Sequence, residues 1–469
     1  MKSIKIPNEL KKMYSIFEEN GFEAFLVGGA VRDVILGKEA SDWDVTTNAT
    51  PEQVSSIFKK VIPTGIAHGT VTVHFMKKEI EVTTYRCDSG YSDGRHPDNV
   101  TFTTNLEEDL SRRDFTMNAI AASLKDGKIV DPFDGQQDIR KKIIRTVGKA
   151  YDRFMEDGLR PIRALRFSSQ LGFEIESETF EAITNSDVQE NIKSISMERF
   201  RDEFTKILSS PEPSVGLKAM EKTGILKMFI PELADCRGIT QADARGFHEF
   251  DVLDHNIYAC DGAPRENLTV RLAALFHDIG KKDARTVEKK AFDTSKPDEL
   301  SEIIHFHGHE KISAALTRPI LFRLKFPNAL IDKVVHLIEQ HMFFFEDFWS
   351  DAAVRRFIVR VKPEFIEDLF DLRYADIYGM HRIPVAATSP AATSLNHLRD
   401  RIAFVQAQKS AVSLKDMAVN GSDLISIGIP AGKKIGIILN ELFQCILDDP
   451  NMNEREQLLN VAKKLAEKY

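Results

Sequence analysis

The chain has 469 residues, more than one hydrophobic core usually serves, and a prior of about 150 residues per domain gives roughly three units. With 42% hydrophobic and 29% charged residues it reads as neither a disordered polymer nor a membrane protein, and its longest apolar runs fall short of a bilayer span. Its 63 Lys and Arg against 71 Asp and Glu leave a formal charge of -8, which argues against an obligate nucleic-acid coat but not against a local basic stripe.

The first segment, MKSIKIPNELKKMYSIFEENG, has the apolar spacing of a short amphipathic helix and carries acids, unlike a secretory leader. Cys87, Cys236, Cys260 and Cys445 are scattered without CxxC spacing and read as reduced thiols of a cytoplasmic protein. Residues 1–146 mix period-two strands (VTVHF, EIEVTTYR, NVTFTT) with a predicted helix over LSRRDFTMNAIAASL. From 147 to 232 the spacing becomes helical, in DGLRPIRALRFSSQLGF and MERFRDEFTKILSS, and no strand is predicted there. Residues 233–385 form a His- and Asp-rich helical module. VAATSPAATS reads as a flexible connector, and a helical tail occupies 400–469. The predicted fold class is α+β: a head with a small mixed sheet, followed by all-α segments.

FLVGGAVRDVILGKEASDWDVTT concentrates the chemistry. FLV reads as a buried strand, Gly28-Gly29 as a turn, and AVRDVILG as a helix whose first N–H groups can hold phosphates. Asp42 and Asp44, two apart on the next strand, would share one face. Two such carboxylates suit Mg²⁺, which could bridge a nucleoside triphosphate and activate a hydroxyl. Alone, a DxD is usually a solvated turn.

The set GGxxRD, DxD, IAHGTVTV, EVTTYRCDSGYSDGRHPDNVTF and RRDFTMNAI, in that order, resembles the head of the tRNA nucleotidyltransferase and bacterial poly(A) polymerase family. The resemblance implies that Asp42 and Asp44 bind metal, with Glu81 as a third acid. It also implies that Gly28, Gly29 and Arg32 face the triphosphate, and that Arg113 and Asp114 complete the nucleotide pocket. The loop with Asp93, Arg95 and His96 resembles that of members adding a full CCA end.

In FMEDGLRPIRALRF, Asp157 and Arg160 are expected three apart on one helix, with Arg163 and Arg166 continuing the line. A carboxylate acceptor beside a guanidinium donor matches the edges of cytosine and adenine and mismatches uracil and guanine. Glu156, Asp157 and Arg160 match the family's nucleotide-selecting EDxxR motif; Gly158 stands where proline is common. From Arg140 to Arg166 the chain has nine basic residues and three acids, a phosphate-facing stripe.

His277-Asp278 inside the apolar LAALFHDIG must be paired or metallated. With His255 and Asp376 it resembles an HD phosphohydrolase domain, which implies a divalent transition metal on those four and extra ligands in His309 and His341. His248, His305, His307 and His336 are expected beside the site or on the surface. In the tail, glycines before Lys433-Lys434 suit contact with RNA phosphates. The resemblance implies an enzyme that adds CCA to tRNA from CTP and ATP. The rivals are a poly(A) polymerase and a phosphohydrolase with an inactive head. Oligomeric state is not legible in the sequence.

Overall fold

The computed structural model describes residues 2–40, 42–66, 69–89, 99–242, 249–291, 300–408 and 414–468. It divides into two units, Met1–Ala234 with Arg323–Lys325, and Asp235–Phe322 with Phe326–Tyr469. No helix among the described residues is long and apolar enough to cross a membrane.

The first unit opens with the helix Asn8–Glu19, whose Leu10, Met13 and Phe17 recur at helical spacing and are all buried. The strands are β1 (Ala24–Val27), β2 (Asp44–Thr47), β3 (Val61–Gly65), β4 (Thr70–Phe75), β5 (Lys78–Thr84), β6 (Arg86–Ser89), β7 (Asn99–Phe102), β8 (Ala121–Ser123) and β9 (Ile129–Val130). Seven of them form a mixed sheet in the order β3-β4-β5-β2-β1-β8-β9, and β6 pairs with β7 as a separate ribbon. β4 and β5 are rich in β-branched residues, β5 turns Ile80, Val82 and Thr84 inward in alternation, and the two-residue turn joining the strands holds Met76 and Lys77 at positive φ. β1 runs antiparallel to β2, and β2 parallel to β5 with Asp44 opposite Glu81.

The segment expected as one helix over LSRRDFTMNAIAASL is broken. Helix Leu106–Ser111 stops, Phe115 is extended and bridges Thr146, a 3-10 turn covers Thr116–Asn118, and β8 follows. Tertiary contacts override local pattern here: Thr116 donates to buried Asp138, and the carboxylate of Asp114 takes the Phe115 N–H. Helices follow, among them Ala150–Glu156, Leu159–Leu171, Ser186–Lys193 and Met197–Leu208. One short parallel ribbon, Ile143–Ile144 with Glu174–Ile175, interrupts them.

The second unit is built from helices around Val252–Gly262, Leu268–Phe276, His309–Arg323, Asn328–Gln340 and Ile366–His381. A two-stranded ribbon, Thr286–Ala291 with Leu300–His305, adds strands to this helical text. Helices Val252–Gly262 and Ile366–His381 pack very closely. A Cβ at Gly379 would stand 2.8 Å from the His255 carbonyl oxygen, so only glycine lets the backbones meet. The connector expected at VAATSPAATS is instead largely ordered into the helix Pro390–Ala407. Ser389 caps it by accepting from Ala392 N, and proline takes its first turn. The tail pairs Lys433–Asp448 with Arg455–Lys468 over Leu442, Ile446, Leu458 and Ala462.

Candidate active sites

In the first unit, Gly28 turns the chain at φ 69° between β1 and the helix Gly29–Ile35. Asp44 begins β2, and Asp42 stands just ahead of it rather than on the strand. Both line a cavity of about 580 Å³ together with Gly28, Gly29, Arg32, Arg113, Asp114, Arg163 and Arg166. Glu81 lies alongside Asp44 on β5. Partial desolvation in the cleft, then the repulsion of Glu81 and Asp42, raises the Asp44 pKa, with Arg113 opposing. Carboxylates crowded in this way favour a cation.

The opposite wall is cationic. Arg163 donates twice to Asp114 at 2.9 and 2.7 Å, and Arg32 donates to Asn118 at 2.9 Å. Burial would raise the Asp114 carboxyl, but Arg163 and the Asn118 amide hold it well below the usual carboxylate range. Arg166 pairs with buried Glu203 at 2.9 Å, and burial beside Arg163 lowers its pKa to about 10. The guanidinium carbons of Arg32, Arg163 and Arg166 lie 5.2, 5.6 and 4.0 Å from the ring centroid of Phe167. Lys206, which the sequence reading missed, also faces this cavity and is tied to Glu203 at 3.1 Å. Its signal was the i, i+3 spacing from Glu203 in FRDEFTKI.

Asp157 and Arg160 do not share a helix. Asp157 ends Ala150–Glu156 in extended conformation, and Arg160 lies in the next helix. Their side chains do not bond one another. Arg199 Nη2 donates to both oxygens of Asp157 at 3.1 and 2.9 Å, while Arg160 pairs with Glu156 and donates to the carbonyls of Arg153 and Arg112 at 3.1 Å each. The break lies against helix Ser186–Lys193. A Cβ at Gly158 would sit 2.5 Å from the Asn191 carbonyl oxygen, and Asn191 Nδ2 donates to Phe154 and Met155. That close approach accounts for glycine at this position. Neither Asp157 nor Arg160 lines the carboxylate cavity, although Arg160 adds to the positive field on Asp114.

The expected basic stripe is largely spent inside the fold. Arg145, Arg153, Arg160, Arg163 and Arg166 all make ion pairs, leaving Arg140, Lys141, Lys142 and Lys149 exposed. The loop residues Asp93, Arg95 and His96, and His248, lie outside the described residues.

In the second unit the six His and Asp residues converge, all buried. His277, His309 and His341 each direct Nδ1 to the carbonyl three residues earlier, Ala274, Phe306 and Ile338, at 2.8, 2.7 and 2.7 Å. A carbonyl only accepts, so each Nδ1 carries a proton, and Nε2 is the atom that would ligate a metal once it has lost its own. Those Nε2 atoms point inward. Asp278 Oδ2 lies 3.3 Å from both His255 and His277 Nε2, and Oδ1 lies 3.0 and 3.8 Å from His309 and His341. Asp376 Oδ1 is 3.2 Å from His255 Nε2. Two three-residue groups, His255-His277-Asp376 and His277-Asp278-His341, have the spacing to hold an ion. This donor set fits imidazole- and carboxylate-binding divalent metals. Burial lowers the His277 pKa but Asp278 prevails, to about 10; burial and His277 push His341 down to about 3. The cluster lines a cavity of about 590 Å³ with Lys281, which is bound to Gln241 and Asp278, and Arg373, which donates to Asp376 at 2.9 Å. Of the remaining histidines, His305 faces this cavity from the ribbon along with His307, and His336 bonds the Val361 carbonyl.

A family model of the poly A polymerase head domain matches residues 24–145, and one of tRNA nucleotidyltransferase domain 2 matches 303–462. The CCA-adding enzyme of Lactobacillus johnsonii is 35% identical over 437 residues, covering 92% of this chain and 90% of that one. The chain belongs to the CCA-adding enzyme family. It is an enzyme of the nucleotidyltransferase type. The CCA-adding enzyme of Staphylococcus aureus is 53% identical over 191 residues, 41% of this chain and 47% of that one. The crystal structure of the Bacillus stearothermophilus CCA-adding enzyme in complex with CTP superposes with a TM-score of 0.71 at 28% identity, covering 97% and 96% of the two chains. The Thermotoga maritima CCA-adding enzyme complexed with tRNA shares the fold at 19% identity and a TM-score of 0.55, covering 98% and 95%.

Proposed function

We propose that the first unit adds the 3'-terminal CCA of tRNA from CTP and ATP. The observation that carries this is the single cavity in which Asp42 and Asp44, with Glu81 beside them, face Arg32, Arg113, Arg163, Arg166 and Lys206. The residues fit Mg²⁺: hard carboxylate oxygens with a raised Asp44 pKa that a cation would relieve. Bound by Asp42 and Asp44, Mg²⁺ would supply charge neutralisation at the triphosphate and acidify the tRNA 3'-hydroxyl.

The chain's residues do the rest. Arg32, Arg113 and Lys206 bind the β- and γ-phosphates and stabilise the pyrophosphate as it leaves, while Arg163 and Arg166, paired with Asp114 and Glu203, complete that wall. The 3'-oxygen bonds to the α-phosphorus, and the bond from that phosphorus to the α,β-bridging oxygen breaks. Asp157 and Arg160 meet the base edge from fixed positions. Two bonds fall on Asp157 Oδ1 and one on Oδ2, which leaves Oδ2 a lone pair for the amino group of cytosine or adenine. Arg160 donates to the adjacent ring nitrogen. Uracil and guanine present the reverse order and leave both groups unpaired.

The test is to give purified protein a tRNA ending at the discriminator base, with each nucleotide singly and together. The reading requires two C from CTP alone and a following A only when ATP is added. An enzyme that adds runs of A and ignores CTP is a poly(A) polymerase. Replacement of Asp42 or Asp44 by Asn should abolish addition with tRNA binding kept.

The His/Asp cluster supports a second activity, hydrolysis of phosphomonoesters or 2',3'-cyclic phosphates at RNA ends. A divalent transition metal held by His255, His277, Asp278 and Asp376, with His309 and His341 for a second ion, would supply an activated water. Unchanged metal-dependent hydrolysis in Asp278→Asn would overturn this reading.

A further inference from the structure

We infer that a second, apolar cavity beside the His/Asp centre is a base-stacking subsite, so that the phosphoester hydrolysed there is carried on the 3' end of single-stranded RNA. The inference rests on reading the His/Asp cluster as a phosphohydrolase centre and names its substrate class. This second cavity, of about 350 Å³, is walled by Phe343, Phe344, Phe345, Ile377 and Leu395, and among the described residues Arg373 is the one charged group on its wall.

Two chain segments run from one cavity into the other. On the helix Ile366–His381, Asp376 and Arg373 face the metal-binding cavity, while Arg373 and Ile377 face the apolar one. On the segment after helix Asn328–Gln340, His341 and Met342 line the first and Phe343 to Phe345 the second. Three residues of chain span at most about 10 Å, so Phe344 lies within a nucleotide's reach of His341. Polarity divides along the same line. The first cavity carries Lys281 and Arg373 beside the carboxylates, as a phosphate requires, and the second presents aromatic and aliphatic surface, as a base face requires.

Phe344 is the residue that would stack. Its neighbours Phe343 and Phe345 are buried at 8% and 6% and make ring contacts with Phe357, Phe370, Trp349 and His397. Phe344 is 72% exposed, and no ring or cation contact to it occurs among the described residues. An unengaged aromatic face at the mouth of an apolar pocket whose only charge is cationic suits a nucleobase bearing a phosphate. Because Phe344 sits on the solvent side, RNA upstream of the terminal base can leave into water. Arg373 is tied by Nη1 to Asp376 and is 29% exposed on its side chain, so its remaining donors can meet the phosphate between the two cavities.

The test uses the full chain with a four-residue RNA whose terminal base is 2-aminopurine bearing a 3'-phosphate. Stacking should quench the probe, Phe344→Ala should abolish that quench, and Phe344→Trp should restore it. In the same variants, the ratio of kcat/KM for the RNA over that for 4-nitrophenyl phosphate should fall roughly 5- to 150-fold in Phe344→Ala, the range given by losing one base stack, and recover in Phe344→Trp. A ratio unmoved by Phe344, or a quench that CTP and ATP displace and Phe344→Ala retains, overturns the subsite; the second result assigns the binding to the nucleotidyltransferase head. Equal kcat/KM for a single 3'-nucleotide and the RNA overturns the RNA assignment. Failure to hydrolyse any of these esters with Mn²⁺, Ni²⁺ or Co²⁺, while the Phe344-dependent quench persists, overturns the hydrolase reading instead.

Discussion

Asp157 is held by Arg199, which contacts both carboxylate oxygens at 3.1 and 2.9 Å across 42 residues of sequence. In the proposed reading, where Asp157 meets the base, that acceptor is aimed by a residue that need not touch nucleotide. Both side chains are about four-fifths buried, so the contact is worth more than a surface pair. Arg199→Ala should free Asp157 to rotate, lower kcat/KM for CTP and ATP roughly 10- to 100-fold, and raise misincorporation of U and G, while Arg199→Lys restores part of both. Equal losses for all four nucleotides would mark Arg199 as purely structural.

Gly158 is fixed by the close approach of Asn191. A methyl group there must push helix Ser186–Lys193 away, so Gly158→Ala should destabilise the protein by about 1–3 kcal/mol in urea unfolding and blur base selection. A neutral effect would mean that the packing against Asn191 is soft.

The Asp114 carboxyl, buried yet held low by Arg163, titrates below its unfolded value of about 3.9. The unfolded chain binds more protons in this range, so the pair contributes fully above about pH 4 and its contribution is lost as pH falls toward the folded value. Asp114→Asn should cost about 3 kcal/mol near neutrality, measured by urea unfolding, and progressively less at about pH 3. A difference independent of pH would contradict the pairing.

Asp44 shifts the other way. Protons compete with a cation for its carboxylate, so apparent Mg²⁺ affinity should weaken as pH falls through that raised value, and Glu81→Gln should reduce the competition by lowering it. Magnesium titrations of nucleotide binding across pH check this. An Asp44 variant with the wild-type pH profile would contradict the assignment.

For the His/Asp centre, Mn²⁺ at about 100 times its Kd should stabilise the protein by about 2.7 kcal/mol, with proton release because His277 is protonated up to about pH 10. The stabilisation should vanish in Asp278→Asn. An equal thermal shift in that variant would locate the metal elsewhere.

Legibility in the sequence followed the range of the interactions. The strands of VTVHF and EIEVTT were readable because alternation is local, and His277-Asp278 was readable because polar groups in an apolar helix need partners, whereas His255, Asp376, His309 and His341 were legible only through the resemblance to an HD domain. The break at Phe115 was not, since it depends on Thr146, Asp138 and Asn118, distant in sequence or outside any periodicity. The same holds for Asp157 and Arg160. Helical spacing paired them, but the structure partners each with another residue because Gly158 packs on Asn191 and splits the helix. The basic stripe was misjudged because counting charges does not reveal which are already neutralised. Arg166 with Glu203 is the plainest case.

The most direct measurement is to sequence the 3' ends made when tRNA ending at the discriminator base is incubated with all four nucleotides. The account predicts ends of C, C and A that then stop growing, with none in Asp42→Asn. Ends of repeated A, unselective addition of U and G, or normal CCA ends from Asp42→Asn would contradict it.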